Sequence, residues 1–128
     1  MPGDVTPHRF GTPDAFRSWL RENEDASPGI WLVMAKKGSP MATITYEQAL
    51  LIALAHGWID GLARRLDDDS YLQRFTPRRP ASTWSLRNRH RVEEMIEEGT
   101  MSPRGLAEVE RAKADGGWER AYVGKPTR

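Results

Sequence analysis

With 128 residues, 19 basic and 18 acidic side chains, the chain is long enough to bury its own core and too nearly neutral for bulk attraction to nucleic acid or membrane. It has no cysteine, which excludes disulfides and thiolate metal sites. The longest apolar run, ALLIALA at 49–55, is too short to span a bilayer, and the opening MPGDVTPHRFGTPD has no apolar signal-peptide core. A soluble cytoplasmic protein is expected, without membrane insertion. A single domain is expected too, with its core over about 10–122 and loose ends.

The first helix is predicted from Thr12, an N-cap followed by Pro13 and Asp14, which suit a helix start. Phe16, Trp19 and Leu20 give it one apolar face, and Ser27-Pro28-Gly29 marks a turn. IWLVMAKK at 30–37 is short, partly β-branched or aromatic, and bounded by turn residues, so it reads as a strand. GSPMA at 38–42 is a loop. Thr45 and Gln48 form a T-x-x-Q capping box before a helix apolar all round, and Gly57 stops that helix.

Two strands follow, over about 58–66 and 71–76, turned by DDDS at 67–70, with Pro77 and Pro80 ending the pairing. Ser85 caps a third helix carrying Leu86, Val92, Met95 and Ile96, which Gly99 closes. Ser102 and Pro103 open a fourth, with Leu106, Val109 and Ala112 as its inner face and Gly116-Gly117 as its end. Trp118 and Tyr122 fold back as a final turn. The order α-β-α-β-β-α-α predicts an α+β fold, a small antiparallel sheet of about three strands packed with about four helices.

GWIDG at 57–61, RFTPRR at 74–79, STWSLRN at 82–88 and G-x-M-x-P-x-G at 99–105 occur in that order. On these motifs the chain resembles the YdeI/OmpD-associated family, also called bacteriocin-protection proteins, from about Phe10 to Tyr122. The resemblance implies a stress or antimicrobial-resistance role and carries no reaction with it.

The segment 74–91, RFTPRRPASTWSLRNRHR, holds six arginines, one histidine and no acid. Its cations open the third helix and the acids Glu93, Glu94, Glu97 and Glu98 close it, opposite to the helix dipole's preference. Two readings follow. The arginines form a solvated face neutralised by those acids, or some of them gather an anion at a helix N-terminus with help from the Ser82, Thr83 and Ser85 hydroxyls and the Asn88 amide.

In GWIDG, Trp58 and Asp60 share one strand face, and Gly61 marks a bulge or a close approach. Trp58 is either core or ligand platform. Asp60 needs a partner, for which Arg74 and Arg78 are candidates; without one it would suit a general acid or base.

The expected ligand site is therefore Trp58, Asp60, Arg74, Thr76, Arg78, Arg79, Ser82, Trp84, Ser85 and Asn88, with Trp31 as a further apolar wall and Lys36 and Lys37 as surface or rim residues. It would take a small-molecule or peptide-like anion. The alternatives are a small enzyme using Asp60 with arginine anion stabilisation, and a nucleic-acid binder through 74–91, which near-neutral charge disfavours. No cofactor or metal is expected: the three histidines lie on separate elements, DDDS lacks the glycine and distal glutamate of an EF-hand, and P-loop, G-x-G-x-x-G, G-x-S-x-G and S-x-x-K motifs are missing.

Overall fold

Side-chain caps set the helix boundaries in the computed structural model, which describes residues 6–122. Helix α1 (Pro13–Asn23) starts with the Thr12 hydroxyl accepting from the Ala15 N–H. Strand β1 (Ile30–Ala35) precedes α2 (Tyr46–Ala55), whose capping box is reciprocal: the Gln48 N–H donates to Thr45 Oγ1 at 3.1 Å and the Thr45 N–H to Gln48 Oε1 at 2.9 Å. Strands β2 (Trp58–Arg65) and β3 (Ser70–Pro77) form a hairpin. Helices α3 (Leu86–Glu98) and α4 (Pro103–Asp115) are capped by Ser85 and Ser102 and closed by Gly99 and Gly116 in the left-handed region. This is the α+β order read from the sequence: the described residues form four helices and a three-stranded antiparallel sheet ordered β1-β3-β2.

The hairpin turn is built by one acid. Asp67 Oδ1 accepts from the Ser70 hydroxyl and from the Asp69 and Ser70 N–H groups, all at 2.8–2.9 Å. These donors, the Ser70 hydroxyl first, hold the Asp67 carboxyl below its ordinary value.

The described chain divides into two compact units: residues 6–53 with Ile59–Pro77, and Leu54–Trp58 with 78–122. In the first, Ile30, Leu32 and Met34 of β1 pair with Phe75, Gln73 and Tyr71 of β3, while Trp31, Val33 and Ala35 pair with Arg74, Leu72 and Ser70 on the opposite face. Phe75 and Phe16 are fully buried with ring centroids 5.8 Å apart, and Phe10 stacks on Phe16 at 5.5 Å. The outer edge of β1 is occupied by His8, whose N–H donates to Trp31 O and whose carbonyl accepts from the Val33 N–H, both at 2.8 Å.

In the second unit, Trp58, Trp84, Val92, Val109 and Trp118 are buried. The Trp84 and Trp118 rings meet edge to face at 5.0 Å. Tyr122 does fold back: its N–H donates to Trp84 O at 3.0 Å and its carbonyl accepts from the Leu86 N–H at 2.6 Å. Gly57, at φ 77°, ends α2, with its N–H donating to Leu54 O.

The inner face of α4 differs from the expected one. Its buried stripe is Gly105, Glu108, Val109 and Ala112, and Leu106 is 42 % exposed. The cause is a close approach between helices. The Ser102 N–H and hydroxyl both donate to Ala55 O at 2.9 Å, and a Cβ on Gly105 would fall 2.8 Å from the Ala55 carbonyl carbon. The glycine faces inward, and that rotates Leu106 outward. Apolar periodicity alone gave Leu106 the place that Gly105 and Glu108 hold.

Gly105→Ala should lower stability by about 1–3 kcal/mol in urea unfolding, because the clash with backbone outweighs the ~1 kcal/mol gain in helix propensity. Leu106→Ala should change it by about 0.5 kcal/mol or less. Asp67 should titrate below the ordinary aspartate value of 3.8 in an NMR titration. Its lowered folded value means the turn's stabilisation is intact above pH 3.8 and lost as pH falls through that lowered value. Asp67→Asn should flatten the acid limb of the urea midpoint.

Candidate functional site

Asp60 accepts a hydrogen bond from the Tyr46 hydroxyl, a phenol presented by the first turn of α2. Its partner is thus this tyrosine; the expected arginine pairing is not among its contacts. Gly61 lies beside Arg74, where a Cβ would sit 3.5–3.8 Å from Arg74 atoms, an ordinary contact that does not demand glycine.

The other expected site residues fall into two groups, one in each unit. In the second unit, Trp58 and Trp84 are 0 % and 3 % exposed and serve as core. Arg78 is 5 % exposed, with its guanidinium 3.7 Å from the Trp84 ring centroid. Arg78 Nη1 donates to Ser82 Oγ at 2.9 Å and to Thr83 O at 3.1 Å, which pins the chain between β3 and α3.

The N-terminus of α3 is largely filled. Ser85 Oγ accepts from the Asn88 N–H at 3.1 Å, Tyr122 O accepts from the Leu86 N–H, and Asn88 Oδ1 accepts from Arg91 Nη1 at 2.9 Å. The expected anion at this helix end finds two of the first three N–H groups already bonded. Arg89 donates to Trp118 O at 3.0 Å and pairs with Glu93 at 3.4 Å.

Arg79 is exposed. It borders a small cleft with Ser82, Trp84, Glu108 and Arg111, of about 10 Å³, enough for roughly one water. Ala81, at φ 62°, turns the chain beside it. Glu108 is 6 % exposed and pairs with Arg111 at 2.9 Å.

In the first unit the arrangement is different. Trp31 is 7 % exposed, and two guanidiniums cover its ring: Arg64 at 5.0 Å and Arg74 at 5.5 Å from the centroid. Arg74 comes from the β3 position directly paired with Trp31, and Arg64 from β2. The Arg74 guanidinium also passes over Gly29, where a Cβ would lie 2.5 Å from Nη2 and 2.7 Å from Cζ. Gly29 keeps that path open. Among the described residues, no carboxylate forms an ion pair with either guanidinium.

Two cations over one electron-rich ring, each a planar fork, suit an oxyanion. Sequence reasoning named Arg74 and Trp31 but not Arg64 or Gly29, because their convergence depends on sheet order and register. Thr76 is half-buried on β3. Among the described residues, no three His, Asp or Glu side chains gather as metal ligands, and no helix is long and apolar enough to cross a membrane.

Arg78→Lys should destabilise the protein by about 1–3 kcal/mol in chemical denaturation, since an ammonium has no flat face to stack on Trp84 while it bonds Ser82 and Thr83. A change within about 0.5 kcal/mol would show that the stack is incidental.

No curated protein matches the chain, and no solved structure matches it. The profile of one family does, over residues 8–108, from the His8 bridge on β1 to the first turns of α4. The chain therefore belongs to the family described as Domain of unknown function (DUF8412).

Proposed function

We propose that the protein binds an anionic group, carboxylate or phosphate, of a small or peptide-like molecule at the Trp31–Arg64–Arg74 cluster. One observation carries this reading: two guanidiniums share the Trp31 ring without a carboxylate partner among the described residues. Two like charges against one ring favour a shared counter-ion, and an oxyanion bridging them would supply it. The indole favours each cation by about 0.5–1 kcal/mol or more and fixes where the guanidiniums lie. The resemblance to bacteriocin-protection proteins suggests a role for such binding in antimicrobial or envelope stress.

A nucleic-acid face along 74–91 has less support. Arg78 is buried on Trp84, and Arg89 and Arg91 are bonded to Trp118 O and Asn88 Oδ1, so these three do not add up to an open basic stripe.

Titration with sodium pyrophosphate at low salt should shift the Trp31 Nε1–H signal in a ¹H–¹⁵N spectrum, assigned through Trp31→Phe. Arg64→Ala and Arg74→Ala should each weaken binding about tenfold or more, the equivalent of ~1.4 kcal/mol. Arg79→Ala should leave it unchanged. A Trp31 signal unmoved at millimolar pyrophosphate overturns the reading.

A further inference from the structure

The sheet has one edge taken and one open. His8 bonds along the outer side of β1, whereas β2 is the terminal strand on the other side. Every residue from Gly61 to Asp69 is exposed, with Leu62 at 72 % and Leu66 at 45 %. Among the described residues, no backbone hydrogen bond from outside the sheet reaches residues 58–66. Edge strands are commonly blunted by proline, by covering segments or by charge. Here β2 has no proline, and its charge is of one sign beyond Asp60: Arg64 and Arg65. Among the described residues Arg65 pairs with Asp68 alone, on the turn, where both side chains are largely exposed and the pair contributes little. Arg64 is one of the two cations over Trp31.

Charge then selects the occupant. A second copy of this edge would add two more arginines and a single acid, Asp60. An extended acidic segment brings carboxylates at the two-residue spacing of a strand, its alternate side chains on one face.

We infer that the open edge of β2 takes an extended acidic peptide as an added strand, with one carboxylate meeting Arg64, whose guanidinium lies against Trp31. This rests on the anion reading of the same cluster and adds the ligand's class and its backbone pairing. Main-chain hydrogen bonds would supply sequence-tolerant affinity, and the arginines would select for acid.

The experiment uses the full chain and three capped peptides: one alternating valine and glutamate, the same peptide with lysine for glutamate, and the glutamate peptide methylated on alternate backbone nitrogens. The glutamate peptide should slow hydrogen exchange of the outward-pointing amides within Gly61–Arg65 and shift the Trp31 indole signal. The lysine peptide should do neither, and the methylated peptide should bind at least tenfold more weakly. Equal binding of the methylated and unmethylated peptides overturns strand addition while leaving the anion site standing if pyrophosphate still moves Trp31. Silence of Trp31 towards both peptide and pyrophosphate removes both proposals. Protection of the edge amides without peptide, with a concentration-dependent rise in mass, overturns the inference in favour of a second copy.

Discussion

A cation laid on an indole is the contact on which both units rely. Trp84 lies under Arg78, Trp118 faces Arg89 and Lys113, and Trp31 lies under Arg64 and Arg74. The chain has five tryptophans but a modest share of other aromatics. A large ring at the margin of a small core leaves apolar surface that aliphatic side chains do not fully cover. A guanidinium does so, keeping its own edge available for hydrogen bonds while its flat face shields the ring. At Trp84 the edge is bonded to Ser82 and Thr83, and the contact is structural. At Trp31 the same device holds two guanidiniums for which the described residues supply no carboxylate. The difference between scaffold and candidate site is therefore not the residue type but whether the described chain supplies an acceptor to the guanidinium.

Much of this fold was legible in the sequence because its signals are local. Thr45 and Gln48 are three residues apart, and a capping box needs nothing beyond that spacing. Ser85, Gly99, Ser102 and Gly116 likewise act on their own helix ends. Asp67 was readable as a turn former because it bonds residues two and three positions on. What depends on distant partners was not readable. Asp60 meets Tyr46 across 14 positions of sequence, and nothing in GWIDG names a phenol. Arg64 meets Trp31 only because β3 lies between their strands in the sheet order.

The arginine-rich segment shows why composition overstated a site. Its six cations in 18 positions suggested one basic feature, yet they separate by environment. Arg74 ends in the first unit, Arg78 is core in the second, and Arg89 and Arg91 serve helix α3. The dipole penalty of cations in the first turns of that helix is offset locally, since Arg89 and Arg91 have acceptors and Tyr122 O fills the first N–H. A run of like charge along the chain becomes several unrelated contacts once a strand ends and a helix begins inside it.

The junction of Ala55, Ser102 and Gly105 has a further consequence for the link between α3 and α4. Gly99 closes α3 with its N–H on Ile96 O, and the Thr100 N–H returns to Met95 O. Ser102 is fixed to Ala55 by two hydrogen bonds. Met101 alone lies between the Thr100 and Ser102 bonds, so the link works as a ruler. One inserted residue would have to unfasten an anchor or turn α4 by about 100°, replacing the glycine beneath the Ala55 carbonyl with a bulkier neighbour. Length in this short loop is as tightly constrained as sequence in the core, and drift in loop size is more easily borne elsewhere on the surface.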